Sequence, residues 1–425
     1  MKVAIINTVV GTGSVGRIAC GTADEIMESG GEALLCRGRG EAVPGYDNYR
    51  IGSDPDMALH GVLTRITDRH GLYSRGATRR LIRRLEGYDP DVIQLHNVHG
   101  YYVNYPLLFD WLRSCKKPIV WTLHDCWAFT GHCAHFEYCE CDKWCRDTGC
   151  FDCPEKNEYP ASYMRDASQS NFKLKKEHFT GIPGLHLVTP SNWLKDAVSR
   201  SFLSDYPVKV INTGIDLDIF SPGAGETAGA DQGKGAAGIR ERYGIGGKTL
   251  LLGVANPWRE TKGMYDFASL YDMLEKEHPG EYSVAMIGLR PSQMERLPEG
   301  IIKIVHTDSV RELAEWYSTA DFYVNLTYGD TFPTTNIEAI ACGTPVITYN
   351  AGGSGEIVTP ETGAVVGKGD ISAVVKAVSE MSAGPDDIKR ADGGLTGTER
   401  ACVERAGNYA KRDKYKEYYE LYQTI

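Results

Sequence analysis

Short apolar runs, each the length of one buried strand, alternate with segments of helical periodicity along most of the chain. They fall into two series. The first comprises VAIINTVV (3–10), EALLCRG (32–38), PDVIQLHN (90–97), KPIVWTLHD (117–125) and LHLVTPS (185–191); the second is expected to begin near Val208 with VKVINTG and continues through TLLLGVAN (249–256), YSVAMIG (282–288), IIKIVHT (301–307), DFYVNLT (321–327) and PVITYN (345–350). Strands that alternate with helices form parallel sheets. The sequence therefore predicts an α/β protein with two consecutive doubly wound domains.

The size and composition of the chain are those of an ordinary globular protein. Its 425 residues allow two domains, and its 42% hydrophobic and 24% charged residues are typical proportions. The formal net charge of −10 argues against nucleic acid as a partner. A first strand that begins at Lys2 leaves no room for a signal peptide, and no apolar run of about 18 residues predicts a membrane span. These features predict a cytoplasmic protein with reduced cysteines.

Two acidic residues lie eight positions apart in the segment DTFPTTNIEAIACGTPVITYNAGGSGEIV, which runs from Asp330 to Val358. Asp330 follows the strand predicted at 321–327, and Glu338 falls about one turn inside the helix expected to open near Thr335. Both carboxylates can then face a ligand that lies over the helix N-terminus, where free backbone N–H groups favour phosphate. Since carboxylates also accept hydrogen bonds from vicinal hydroxyls, this pair predicts a sugar-nucleotide site.

Polar residues end other strands at the carboxyl edge, where open α/β sheets bind their ligands. His124 closes the strand PIVWTLHD, and Arg259 and Lys262 follow the strand TLLLGVA. Displacing a nucleoside diphosphate from a sugar builds negative charge on the leaving phosphates, which positioned cations stabilise. We therefore predict that these three residues belong to a catalytic site; a satisfied structural histidine and a solvated loop are the alternatives.

A glycine-rich loop follows the first strand. Gly11, Gly13 and Gly16 form GxGxxG, whose backbone can approach a pyrophosphate. A dinucleotide site also needs an acidic residue at the end of the second strand, where this chain has Arg37 and, shortly after, Arg39. An NADP-dependent oxidoreductase, with these arginines on the 2′-phosphate, remains an alternative.

Seven cysteines crowd the segment 126–153. This density in a cytosolic chain favours a metal over disulfides. We predict a structural zinc ion held by Cys133, Cys139, Cys150 and Cys153. Cys126, Cys141 and Cys145 compete as ligands, and unmetallated buried thiols, or disulfides in an exported chain, are the alternatives. Because three DxD strings elsewhere follow no well-formed strand, no catalytic metal is predicted.

Seven arginines and one acidic residue lie between Arg65 and Arg84, and TRRLIRRL places Leu81 and Leu85 on one helical face. A basic amphipathic helix of this kind can lie on an anionic membrane surface. The segment therefore predicts a peripheral membrane contact, with a solvated helix face as the alternative.

Several motifs are spread along the chain: NTVVGTGSVGRI, SRGATRRLIRRLEGYDPDVIQLHNVHGYYVN, TLHDCWAFTGHC with the CxxCP after it, VTPSNWL, VINTGIDLDIFSP and the segment 330–358. Together they resemble the retaining glycosyltransferases of the GT-B fold, family 4, in the branch that includes colanic-acid and other exopolysaccharide enzymes. The resemblance covers most of the chain. It implies two Rossmann-like domains facing each other across a cleft: an acceptor-side domain at 1–205 with the Cys-rich insertion 126–153, a nucleotide-sugar domain at 206–404, and a last helix at 405–425 that returns to the first domain.

The resemblance also implies roles for individual residues. Glu338 corresponds to the family's ribose ligand and Asp330 to its ligand of donor-sugar hydroxyls, although the family has glutamate at that position. Lys262 corresponds to its diphosphate-binding lysine, and Arg259 is a substitute for an arginine that falls nearer Asn256. His124 corresponds to its histidine near the donor sugar. The further residues implied to bind the donor are Gly13, Ser14, Asn256, Val305, His306, Phe332, Thr334 and Thr335.

The implied activity is transfer of a hexose, with retention, from a UDP- or GDP-linked sugar to a hydroxyl of a glycan that is expected to be lipid-linked. The product would belong to an exopolysaccharide, a capsule or a related cell-surface glycan, made in the cytoplasm or at the inner face of the membrane. The alternatives are the NADP-dependent oxidoreductase and a zinc-binding, non-catalytic protein on a transferase scaffold.

Overall fold

The computed structural model describes residues 1–223, 236–383 and 395–425, which divide into two units. Unit 1 comprises Met1–Gly214 and Arg412–Ile425, and unit 2 comprises Ile215–Lys411. Each unit contains one sheet in which every pairing is parallel. The predicted α/β class with two Rossmann-like sheets is therefore confirmed. The segment 221–238 is rich in Gly and Ala and lacks an apolar period, which predicts a flexible surface loop. It falls largely on 224–235, outside the described residues.

The sheet of unit 1 has seven strands in the order β3-β2-β1-β4-β5-β6-β7. Both of its faces are covered: Ala4 and Ile6 of the first strand are buried in one core cluster, whereas Val3 and Ile5 are buried in another. Such continuous burial explains why these strands are apolar along their whole length. The strands are β1 (Lys2–Asn7), β2 (Glu32–Arg37), β3 (Asp47–Arg50), β4 (Val92–Leu95), β5 (Ile119–Thr122), β6 (Leu185–Thr189) and β7 (Val208–Val210).

Helices follow most of these strands along the chain. They begin at residues suited to that position: the side chains of Ser53, Asn104 and Ser191 accept hydrogen bonds from main-chain N–H groups of the first turn of their helices. The helices of this part are α1 (Gly13–Glu28), α2 (Asp54–Thr67), α3 (Arg75–Tyr88), α4 (Tyr105–Cys115), α5 (Ser168–Phe179) and α6 (Asn192–Ser199).

The sheet of unit 2 has six strands in the order β10-β9-β8-β11-β12-β13. Leu250 and Leu252 are buried on one face and Leu251 on the other, so this sheet is also covered on both sides. Its strands are β8 (Thr249–Val254), β9 (Tyr282–Ile287), β10 (Ile302–Ile304), β11 (Phe322–Asn325), β12 (Val346–Tyr349) and β13 (Gly363–Val366). Its described helices are α7 (Ala236–Arg242), α8 (Met264–Glu277), α9 (Pro291–Met294), α10 (Val310–Thr319), α11 (Thr334–Ala341), α12 (Ile371–Ser382) and α13 (Gly397–Gly407).

The last helix, α14 (Lys411–Thr424), packs on unit 1 although unit 2 precedes it in the chain. Its Tyr418, Leu421 and Tyr422 share the core cluster of Val3 and Ile5. The hydroxyl of Tyr422 donates to Gln94 Oε1 at 2.9 Å, which satisfies a buried amide inside the sheet. One face of the sheet in unit 1 is thus covered in part by a helix from the far end of the sequence.

The strand at 208–210 does not begin the second series as predicted. It pairs with β6, so that Leu187 lies opposite Val208, and it forms the edge of the sheet in unit 1. Its residues are only half-buried, as suits an edge strand, and periodicity alone does not reveal which sheet such a strand joins.

The arginine-rich segment between Arg65 and Arg84 is not one amphipathic helix. Arg65 lies in the last turn of α2, and a loop separates it from α3. Leu81 and Leu85 are fully buried in the core of unit 1, so the apolar face of α3 is already occupied. The prediction that this face meets a membrane is therefore wrong, since burial against the sheet removes it from the surface. Among the described residues, no helix is long and apolar enough to cross a bilayer.

A buried histidine links α2 to α3 and should make stability depend on pH. The main-chain N–H of Gly71 donates to His60 Nε2 at 3.1 Å, and His60 Nδ1 lies 2.8 Å from Ser74 Oγ, so the ring is held neutral. Burial lowers the pKa of His60 from 6.5 to about 4. Because the unfolded chain then binds more protons between these values, the stabilisation is complete above about pH 6.5 and is lost as the pH falls toward 4.

We expect the melting temperature to decrease on acidification through this window. The His60→Gln variant should show a shallower decrease than the wild type, and His186→Gln, which alters a partly exposed histidine of the same unit, should follow the wild type. Parallel curves for His60→Gln and the wild type in thermal unfolding monitored by circular dichroism would contradict the assignment.

Candidate active site

Lys262 and Asp330 meet at the carboxyl edge of the sheet in unit 2. Lys262 follows β8 and Asp330 follows β11, which are neighbours at the point where the strand order reverses direction. Ligands of open α/β sheets bind outside such a point. Lys262 Nζ lies 2.7 Å from Asp330 Oδ2, and both side chains are partly exposed. The structure thus brings together a cation and a carboxylate that are 68 positions apart in the sequence.

Asp330 is held by the backbone around it. Its Oδ1 accepts a hydrogen bond from the N–H of Phe332 at 3.2 Å, and its main-chain oxygen accepts one from the N–H of Gly353 at 2.8 Å. Gly352 has a φ of 58°, and a Cβ atom there would lie 1.9 Å from the Asp330 carbonyl oxygen. The glycine-rich loop predicted after β12 therefore permits a close backbone approach that positions the acid.

Glu338 lies one turn inside α11 and is 8% exposed. The hydroxyl of Tyr317 in α10 donates to Glu338 Oε2 at 3.1 Å, an interaction that the sequence did not indicate. Tyr323 of β11 is also buried, and its pKa is raised, mainly by burial. The charges of Glu338 and Asp330 raise this pKa further, whereas a hydrogen bond with Thr335 lowers it. Tyr323 therefore lies within electrostatic reach of both acids at the start of α11.

The other predicted donor-binding residues of unit 2 occupy three different environments. Asn256 and Arg259 are exposed in the loop after β8, and Val305 and His306 are exposed after β10. Thr334 and Thr335 are partly buried in the first turn of α11. The ring of Phe332, in contrast, is 5% exposed and packs on Tyr409 with centroids 5.7 Å apart. The main-chain N–H of Phe332, and not its ring, is therefore the part that contacts the site.

In unit 1, His124 follows β5 and stacks on His96, which follows β4. The two ring centroids are 5.2 Å apart, and His96 Nδ1 lies 3.0 Å from His124 Nε2. Burial lowers the pKa of His124 to about 4, so the ring is neutral near pH 7. A neutral imidazole binds a sugar hydroxyl by hydrogen bonding and carries no charge to a phosphate.

Burial alone would raise the pKa of the neighbouring Asp125. The charge of His99 and its hydrogen bond lower that pKa to about 2 instead, with His99 Nε2 2.9 Å from Asp125 Oδ2. A carboxylate held ionised in this way helps to fix the backbone next to His124, because Asp125 Oδ1 also accepts a hydrogen bond from the N–H of Trp127 at 2.9 Å.

His124 lines a small pocket of unit 1 that the sequence did not predict. Residues of α14 form one of its walls, which periodicity could not place beside β5. The other residues that line this pocket are Ile18, Thr122, Pro190, Ile211, Asn212, Thr213, Gly214, Lys414, Tyr415 and Tyr418.

Gly13 and Ser14 do not line this pocket. They are exposed at the start of α1, and the N-cap residue of that helix, Thr12, makes no side-chain capping hydrogen bond.

The predicted zinc site is not found. Within the described residues, no group of three or more His, Cys, Asp or Glu side chains could hold a metal ion. The thiols of Cys133 and Cys153 lie within hydrogen-bonding reach of each other, but Cys139 donates to the carbonyl oxygen of Phe136 at 3.4 Å instead. Aromatic packing orders this segment: Trp144 is 3% exposed and packs against Phe136 in a tilted arrangement, with ring centroids 4.8 Å apart.

Two family models match the chain, one in each series of strands. The model described as "Glycosyltransferase Family 4" matches residues 23–219, and the model described as "Glycosyl transferases group 1" matches residues 248–383. The chain belongs to the glycosyltransferases of the GT-B fold, family 4. The oxidoreductase interpretation is thereby replaced; Arg37, which it required, is buried and donates through Nε to the carbonyl oxygen of Gly40 at 3.2 Å.

Individual relatives agree with this assignment. The chain is 26% identical over 361 residues to the putative colanic acid biosynthesis glycosyl transferase WcaC of Escherichia coli K12. The matched region covers 81% of this chain and 79% of WcaC. A glycosyltransferase from Rickettsia africae superposes with a TM-score of 0.68 at 15% identity, covering 100% of this chain and 98% of the other. Anabaena HepE, in a complex with UDP-glucose, superposes with a TM-score of 0.64 at 13% identity and full coverage of both chains.

Proposed function

We propose that this glycosyltransferase moves a hexose from a UDP- or GDP-linked sugar to a hydroxyl of a lipid-linked glycan, with retention at the anomeric carbon. The observation that carries the proposal is the ion pair of Lys262 and Asp330 at the switch point of the unit 2 sheet, next to the start of α11. In a nucleotide sugar the diphosphate links the ribose to the hexose. A cation and a helix N-terminus suit the diphosphate, and two carboxylates suit the hydroxyls of the two sugars.

Each of these groups has a chemical task in the proposed reaction. Lys262 stabilises the negative charge that grows on the diphosphate as the bond to the sugar breaks. Glu338 accepts hydrogen bonds from ribose hydroxyls, and Tyr317 holds its second oxygen. Asp330 binds donor-sugar hydroxyls while it positions Lys262. The neutral ring of His124, in unit 1, can exchange a hydrogen bond with a sugar hydroxyl.

We propose front-side attack, in which the leaving diphosphate accepts the proton of the acceptor hydroxyl. The new glycosidic bond then forms on the face from which the diphosphate departs, so the anomeric configuration is retained. The protein contributes position and charge, and no covalent intermediate on the enzyme is required.

The names of similar proteins support the glycan class and the donor. WcaC is named for colanic acid biosynthesis, and HepE has been crystallised with UDP-glucose. The described cysteines are free thiols, as expected of a protein in the cytoplasm. We therefore place the reaction at the inner face of the membrane, in the synthesis of an exopolysaccharide, a capsule or a related cell-surface glycan.

A panel of ligands tests the proposal directly. UDP- and GDP-sugars, with NADPH as the comparison, should be screened by thermal unfolding and by slow hydrolysis of the donor. We expect sugar nucleotides of one base to stabilise the protein, by about 2.7 kcal/mol at 100 times the Kd, and NADPH to have no effect. The NMR coupling constant of the transferred sugar should show retention. Stabilisation by NADPH alone, or an inverted product, would contradict the proposal.

A further inference from the structure

The main chain before Lys262 is fixed to the segment that leads to Asp330. The carbonyl oxygen of Thr261 accepts a hydrogen bond from the N–H of Tyr328 at 2.9 Å. It also accepts a longer hydrogen bond from the hydroxyl of Thr327, at 3.4 Å. Because Thr261 directly precedes Lys262, these contacts hold the backbone from which the lysine side chain extends.

The main chain after Lys262 lies against the same segment. Gly263 has a φ of 73° and is the N-cap residue of α8. A Cβ atom there would lie 2.3 Å from the carbonyl oxygen of Leu326, so only glycine allows the two backbones to come this close. The backbone of Lys262 is thus held on both sides, whereas its four-carbon side chain is intrinsically flexible.

A second set of contacts anchors the side chain of Tyr328. Asp266 lies in the first turn of α8, and its Oδ2 accepts a hydrogen bond from the Tyr328 hydroxyl at 2.9 Å. The same oxygen accepts another from the hydroxyl of Tyr349, on β12, at 2.7 Å. Tyr349 is fully buried, and burial together with the hydrogen bond to Asp266 raises its pKa, so its hydroxyl stays protonated and donates. One carboxylate oxygen therefore joins α8, β12 and the segment after β11.

The position of Lys262 matters for the proposed reaction. A cation stabilises the charge that grows on a leaving diphosphate only if it is held where that charge develops. A displacement of about 1 Å can lower a rate about a hundredfold. Asp330, which pairs with Lys262, is also the proposed ligand of donor-sugar hydroxyls, so the ion pair alone does not fix the lysine once the donor is bound.

We propose that Asp266 and Tyr328 are positioning residues for Lys262. They act through the backbone and not by contact with the donor: Asp266 holds the side chain of Tyr328, and the N–H of Tyr328 holds Thr261 next to the lysine. The inference rests on the proposed function, because it concerns the rate at which the bond between sugar and diphosphate breaks.

Substitutions in two backgrounds test this proposal. Asp266→Ala removes both tyrosine hydrogen bonds and should lower kcat for hydrolysis of the UDP- or GDP-sugar by roughly tenfold, while KM and the affinity for UDP or GDP stay within about twofold of the wild type. In the Lys262→Ala protein the same substitution should have almost no further effect on kcat, because residues that act through one group are not additive. Tyr328→Phe removes a single hydrogen bond and should lower kcat by roughly fivefold.

Two further variants serve as controls. Asp266→Asn keeps an oxygen that can accept from both hydroxyls, so it should recover most of the rate that Asp266→Ala loses. Tyr243→Phe removes the hydroxyl of another tyrosine of unit 2, one that packs on Trp316, and it should hydrolyse the donor as the wild type does. Circular dichroism shows whether each variant is folded, and Tyr328→Phe carries the test if Asp266→Ala is not.

Two results would overturn the proposal. Equal fold losses from Asp266→Ala in the wild type and in Lys262→Ala would mean that the substitution weakens unit 2 as a whole and not the placement of the lysine. An unchanged kcat in the folded Asp266→Ala and Tyr328→Phe variants would mean that the lysine is placed without them. Both results leave the proposed function intact, because that function is tested separately by the loss of rate in Lys262→Ala alone.

Discussion

Replacing Lys262 by alanine should lower the rate of sugar transfer, or of donor hydrolysis, by at least roughly tenfold, as expected for the loss of one positioned charge. The structure adds a second reason for a large effect. Lys262 Nζ is 2.7 Å from Asp330 Oδ2, so its removal exposes an unneutralised carboxylate to an incoming diphosphate. The measurement is kcat and KM with the donor identified by the ligand panel.

A double variant separates the two contributions. Asp330→Asn combined with Lys262→Ala should recover part of the rate lost by Lys262→Ala alone, because the repelling carboxylate is gone; such coupling is expected between residues in contact. Lys276→Ala removes an exposed lysine of α8 in the same unit and should have no effect. A wild-type rate for folded Lys262→Ala would refute the assigned role.

Replacing Glu338 by alanine should also cost at least roughly tenfold in kcat/KM for the donor. Glu338 is 8% exposed, so its carboxylate is held in one place, and the ribose hydroxyls would lose a fixed acceptor. The same variant should no longer be stabilised by the nucleoside diphosphate in thermal unfolding.

Tyr317→Phe is the matched control for Glu338→Ala. It removes only the hydroxyl that donates to Glu338 Oε2 and keeps the ring in the core. A single hydrogen bond is worth about 1 kcal/mol, so a loss of roughly fivefold is expected. Equal losses in the two variants would mean that Glu338 acts through the packing of α10 on α11 and not by contact with the donor.

The sequence predicted both parallel sheets because their strands are apolar throughout, a pattern that follows from burial on both faces. It also placed Asp330 before α11 and Glu338 inside it. It could not predict that Lys262 and Asp330 form an ion pair, since that contact depends on β8 lying beside β11 in the sheet. Strand order is a tertiary property that no local pattern records.

Two predictions failed because a local pattern was compatible with more than one environment. Leu81 and Leu85 define the same apolar stripe whether the helix lies on a membrane or on a sheet, and the structure shows the sheet. The cysteines of 126–153 have the composition of a zinc site, but Cys139 bonds to Phe136 and Trp144 provides the packing. The number of cysteines in a segment does not determine whether their sulfur atoms converge on one metal ion.

The membership of α14 in unit 1 bears on the synthesis of the chain on the ribosome. The side of the first sheet that carries Val3 and Ile5 is covered in part by Tyr418 and Leu421, which are translated after all of Ile215–Lys411. At about 5–20 residues per second, that interval lasts roughly 10 to 40 s. During this time the part of the sheet face that α14 covers stays exposed to solvent, so we expect the first unit to become fully native only after the last residues of the chain are translated.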